Sequence, residues 1–80
     1  MSSPDVGGRK RSETLTPRER DVLVWAGRGL TADQTGARMG IAESTVKDLR
    51  GNALRRLDAV CLTQALSIAI RRGDLSVEQL

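Results

Sequence analysis

The side chains that could do chemistry in this chain are mostly cations. Its 80 residues include no His, no Tyr and a single Cys, Cys61. A Ser-His-Asp triad, a zinc finger and a disulfide framework all need residues that are missing. No enzyme activity, no catalytic or metal-binding residue and no cofactor is therefore expected. What remains is thirteen basic residues against ten acidic ones, a net charge of +3, with eleven of the thirteen being Arg. Residues 41 to 57 carry Lys47, Arg50, Arg55 and Arg56 against Glu43 and Asp48, a net +2. Residues 58 to 80 carry Arg71 and Arg72 against Asp58, Asp74 and Glu78, a net −1. Planar guanidinium groups suit phosphates and guanine edges. The charge distribution thus favours a polyanionic partner, nucleic acid first, and places the contact in residues 41 to 57.

The elements that position those cations follow from local signals. An 80-residue chain makes one small domain, which buries only ~60 to 65% of the surface its unfolded form exposes. Hydrophobic residues make up 39%, and the one aromatic is Trp25, which suits a helical core better than a sheet. Residues 1–14 hold Pro4, two adjacent Gly and the run Arg9-Lys10-Arg11, with almost nothing to bury. They read as a disordered arm, either a solvated tail or a basic arm that touches DNA. Thr16-Pro17-Arg18-Glu19 is a capping box that opens a first helix, stopped at Gly27 and Gly29. Its stripe is Val22, Leu23, Trp25 and Ala26, with Trp25 in the core or at its edge. Thr31-Ala32-Asp33-Gln34 is a second capping box, for a short helix ending near Met39, with a turn at Gly40-Ile41. Thr35 and Gly36 should make that helix weak.

A third helix spans Ala42 or Glu43 to Leu57. At 100° per residue Val46, Leu49, Ala53, Leu54 and Leu57 share one side, while Ser44, Lys47, Asp48, Gly51 and Arg55 share the other. Arg50 falls inside the apolar arc and is expected to lean out at its edge. A fourth helix runs from Leu62 to Arg72. With Cys61, its Leu62, Ala65, Leu66, Ile68, Ala69 and Ile70 cover more of the circumference than one core contact needs. The excess suggests dimerisation through Cys61, Leu62, Ala65, Leu66, Ile68 and Ala69, or else docking on another protein or cover by the arm or tail. Cys61 itself fits a small apolar or helix-start residue. Asp74 to Leu80 reads as a loose tail, so the domain is bounded at residues 15–75, with 76–80 beyond it.

Four short helices with a Gly turn between the second and third fit an all-α helix-turn-helix domain. The chain then resembles a specific family. Leu15-Thr16-Pro17-Arg18-Glu19, Ala26-Gly27-Arg28-Gly29-Leu30-Thr31, Ser44-Thr45-Val46-Lys47, Asn52-Ala53-Leu54-Arg55-Arg56-Leu57 and Thr63-Gln64-Ala65-Leu66 are similar to the LuxR/FixJ (GerE-type) helix-turn-helix domain. The similarity covers about three quarters of the chain, from Leu15 to Leu75, in order. It implies a bacterial or phage DNA-binding transcription regulator, with helix 43–57 in the major groove and helix 62–72 pairing two copies. Lys47 then matches the lysine of the family's Thr-Val-Lys, and Thr45 a backbone-contacting threonine. Ser44, Lys47, Asp48 and Gly51 occupy the outward face, Thr31 offers a helix N-terminus to a phosphate, and Arg50 and Arg55 are phosphate clamps.

The chain departs from the family pattern at Ala42, where a cap such as Ser or Thr is usual; the missing cap costs ~1 kcal/mol. Asp48 and Gly51 stand where the family commonly reads bases. Asp48 can accept from a cytosine amino group or cap its own helix, whereas Gly51 offers no side chain. Leu49 replaces a common His, and Gln34-Thr35-Gly36 replaces Glu-Ile-Ala, which should thin the core. The partners expected are double-stranded DNA and a second copy of the chain. The alternative is a protein-interaction module that docks on another regulator or on RNA polymerase. The longest near-apolar run, residues 59 to 70, is too short to span a bilayer, and no signal peptide is visible, so a cytoplasmic location is expected.

Overall fold

Both capping boxes form as their spacing predicts. In the computed structural model, which describes residues 14–80, Thr16 caps helix α1 (Pro17–Gly27) and Thr31 caps helix α2 (Ala32–Met39). The Glu19 amide donates to Thr16 Oγ1 at 3.2 Å and the Thr16 amide donates to Glu19 Oε1 at 3.0 Å. The Thr31 and Gln34 pair repeats the pattern at 3.2 and 2.9 Å. Each box satisfies amides that a helix start would otherwise leave unpaired. Helix α3 (Glu43–Leu57) starts at Ala42, whose side chain makes no capping bond, as its methyl group requires. Helix α4 (Leu62–Arg72) starts at Cys61, also without a side-chain cap; the nearby Val60 amide donates instead to Gln64 Oε1 at 2.8 Å. The expected arm lies outside the described residues, apart from Thr14. No described helix is long and apolar enough to cross a membrane.

Helix α3 packs on all three other helices, and α1 packs on α2 and α4. Two apolar clusters hold α3 along its length. Its first half rests on Val22 of α1 and Ala32 of α2 through Val46, with Met39, Ile41 and Leu49 alongside. Its second half rests on Leu15, Leu23, Ala65, Ala69 and Leu75 through Ala53 and Leu57. Neighbouring residues on α1, Val22 and Leu23, therefore serve different clusters. Both are fully buried, each contributing ~1.5 to 3 kcal/mol of apolar transfer.

Three features were not legible in the local sequence signals. First, Thr35 and Gly36, expected to weaken α2, are both buried on its packed side. A Cβ built on Gly36 would stand 2.6 Å from the Ile41 carbonyl oxygen, so the turn after α2 comes closer than any side chain would allow. Gly40 completes that turn at φ 73°, in the left-handed region. Second, the tail is not loose. Leu75 is buried in the core, and Val77–Gln79 form a short 3-10 turn capped by Ser76. Arg28 Nε donates to the Gln79 carbonyl at 2.6 Å, and Leu80 covers Gly27. The ordered unit thus extends past residue 75. Third, Ala65 and Ala69 have no exposed surface. Their methyl groups face the chain's own core, so they cannot form a pairing face.

Candidate nucleic-acid interface

Because both clusters grip α3 from one side, its other side is left outward. Ser44, Thr45, Lys47, Asp48 and Arg55 are all exposed there, and Gly51 is half-buried among them. Lys47 Nζ lies 3.4 Å from Glu43 Oε2, one turn earlier, with both side chains largely exposed. Such an exposed pair is worth only ~0.3 to 0.5 kcal/mol, so Lys47 can leave it for a stronger anion at little cost. Thr31 is exposed at the N-terminus of α2, but its hydroxyl already accepts from the Gln34 amide. Arg50 is half-buried, and its Nε has no partner among the described residues.

The last turns of α3 are more ordered than their sequence suggests. Arg55 Nη2 donates to Asn52 Oδ1, one turn back. Arg56 points the other way, into the domain. Its Nε donates to Glu19 of α1, 2.9 Å from Oε1 and 3.1 Å from Oε2. The Glu19 side chain is 3% exposed. Arg56 therefore belongs to the scaffold and not to the outward cations. Its acidic partner sits 37 residues away, a distance no periodicity argument can bridge. Asn52, Arg55, Arg56, Asp58, Ile68 and Arg72 line an open groove between α3 and α4. Arg72 forms an ion pair with Asp74.

Trp25, expected in the core or at its edge, is half-buried outside both apolar clusters and carries two cations. The Arg28 and Arg38 guanidinium carbons lie 5.2 and 5.5 Å from the ring centroid, within reach of a cation–π attraction. This cluster is on α1 and α2, apart from the outward face of α3. A single Trp with two Arg at non-periodic positions leaves no signal in the sequence.

The arrangement is a helix-turn-helix: α2, a tight Gly turn, and an α3 buttressed from behind with a polar outward face. The family pattern described as bacterial regulatory proteins, luxR family, matches residues 13–69. The chain belongs to the LuxR family. The transcriptional activator protein BjaR1 of Bradyrhizobium diazoefficiens is 42% identical over 60 residues, 75% of this chain and 25% of that protein. The quorum sensing-dependent transcriptional regulator RpaR of Rhodopseudomonas palustris is 41% identical over 63 residues, 79% of this chain and 26% of that protein. Nodulation protein W of Bradyrhizobium diazoefficiens is 37% identical over 61 residues, 76% and 27% of the two chains. The LuxR-family chain thus spans about a quarter of the length of these relatives. The family and the two regulators are transcriptional regulators and not enzymes.

On α4 the LuxR-family domain turns Thr63, Gln64, Ser67 and Arg71 outward. Cys61 is exposed at its start, beside Val60 at 89% exposure. Leu62, Leu66, Ile68 and Ile70 are half-buried against the core. Of the residues expected to pair two copies, Cys61, Leu62, Leu66 and Ile68 thus keep some surface.

Proposed function

We propose that this domain reads double-stranded DNA for a transcription regulator, with α3 in the major groove. The observation that carries the reading is the free outward face of α3, where Ser44, Thr45, Lys47, Asp48 and Arg55 project from a helix held on its other side. A helix fits the major groove, and the first half of a recognition helix meets base edges. Lys47 contacts guanine or a phosphate, and Ser44 and Thr45 meet the backbone or bases nearby. Asp48 accepts from a cytosine amino group, Thr31 meets a phosphate at the start of α2, and Arg50 clamps a second phosphate. Family membership and the regulator relatives support the same reading. Two copies pair through the surface that α4 keeps, about one DNA turn (~34 Å) between half-sites, in the cytoplasm.

A second reading has one feature in its favour. Asp48 places a carboxylate on the outward face, where phosphates repel it. In that reading the face docks on another regulator or on RNA polymerase. Selection from a random DNA library at about 150 mM salt separates the two, because non-specific phosphate contacts weaken steeply with salt. An enriched motif that Lys47→Ala loses supports DNA reading. Weak binding without a motif supports protein docking.

A further inference from the structure

Gly51 leaves a gap in the outward face of α3, and Arg55 fills it. Residues 51 and 55 are one turn apart and share a face, and helical side chains lean toward the N-terminus. The Arg55 guanidinium accordingly lies back over Gly51, with Nη1 3.7 Å from where a Gly51 Cβ would stand. Arg55 Nη2 donates to Asn52 Oδ1, which pins the group in that place. Arg55 is exposed at the rim of the open groove between α3 and α4. A long, flexible side chain thus becomes a fixed donor fork at the level of residues 51 and 52, closer to the groove-reading half of α3 than its own Cα.

We propose that Arg55 is a specificity-determining residue that reads a guanine through O6 and N7 in the major groove, with Asn52 as its positioning residue and Gly51 as the small residue over which it lies. The inference rests on the DNA-reading proposal above and assigns Arg55 to a base, where the sequence pattern alone made it a phosphate clamp. A guanidinium held by a neighbouring acceptor loses less freedom on meeting a base than a mobile one. Guanine is the base that offers two acceptors side by side.

The test uses the full chain and the motif that it enriches, with single guanines replaced in turn by 7-deazaguanine, which lacks the N7 acceptor. At one position this replacement should weaken binding by the wild-type chain about five- to 150-fold, the range for a good bidentate pair. Arg55→Gln should lose a similar factor on the natural motif and become indifferent to 7-deazaguanine there. Gly51→Leu fills the space and should behave like Arg55→Gln while keeping its helical circular dichroism. Asn52→Ala should lower the discrimination, and Asn52→Asp, which keeps the acceptor, should restore it. The assignment is overturned if Arg55→Gln weakens all sequences alike and lowers the salt slope by about one, the mark of a phosphate contact; the DNA-reading proposal then stands. If the wild-type chain enriches no motif, that proposal fails and takes this one with it.

Discussion

At Glu19 one carboxylate closes the capping box of α1 and holds Arg56 of α3, so it ties the start of one helix to the end of another. The two partners are not equivalent. Glu19 is 3% exposed, whereas the Arg56 side chain is 31% exposed and can turn toward water. Removing the cation strands a buried charge; removing the anion does not. Arg56→Met should therefore cost about 3 kcal/mol, and Glu19→Gln only about 1 kcal/mol, since an amide still accepts from Thr16. Adding Glu19→Gln to Arg56→Met should recover part of the loss. Urea unfolding of the four proteins checks the order, and a Glu19→Gln costlier than Arg56→Met would show that losing the ion pair, and not stranding a buried carboxylate, sets the cost. The same pair marks what can be read from sequence at this scale. The bond between Thr16 and Glu19 is legible because it is local, three residues apart. The bond between Glu19 and Arg56 is not, because it depends on how α1 and α3 pack.

Two mid-helix glycines do opposite things at the scale of the elements. Both sit inside helices, where Gly costs ~1 kcal/mol relative to Ala. At Gly51 a Cβ meets only Arg55 Nη1, at an ordinary 3.7 Å. Gly51→Ala should stabilise the fold by up to about 1 kcal/mol. At Gly36 a Cβ stands 2.6 Å from backbone, the Ile41 carbonyl oxygen, which cannot swing aside. Gly36→Ala should lose about 1 to 2 kcal/mol despite its better propensity, because the turn between α2 and α3 must open. Thermal unfolding followed by circular dichroism measures both signs. The four helix spans are legible from caps, Gly stops and the 3.6-residue period, all of them local. The role of Gly36 is not, since the atom it makes room for belongs to the next turn. The C-terminal 3-10 turn has a local signal, the Ser76 and Gln79 capping box, but its docking on Arg28 does not, since that bond spans 51 residues. A chain ending at Ser76 should lose about 1 kcal/mol for that bond, and its Trp25 fluorescence should change as Arg28 is released from Gln79. An unchanged stability and spectrum would mean that the turn rests on α1 without holding it.

At the scale of the whole molecule, the outward face of α4 is a poorer docking surface than the outward face of α3. Ala65 and Ala69 are committed to the core, and Leu62, Leu66, Ile68 and Ile70 are half-covered by it. What α4 turns outward is Thr63, Gln64, Ser67 and Arg71, with Val60 and Cys61 at its start. A stable dimer buries roughly 1,200 to 2,000 Å² with a largely apolar centre. A single short helix with a polar outer row falls below that. The proposed pairing by α4 should then be weak in free solution and gain force only where DNA holds two copies side by side, since tethering raises the effective concentration of each for the other. This also changes which substitution tests it. Leu66→Glu or Ile68→Glu would put charge into the chain's own core and report on folding. Ser67 is exposed, and Ser67→Arg sets a second cation one turn from Arg71 on each copy, so twofold pairing brings like charges together. The free chain should scatter light as a monomer at low micromolar concentration. On DNA with two half-sites it should bind cooperatively, and Ser67→Arg should abolish the cooperativity while leaving single half-site affinity intact, because an added positive charge cannot weaken a phosphate contact. Cooperativity that survives Ser67→Arg would move the pairing surface off α4.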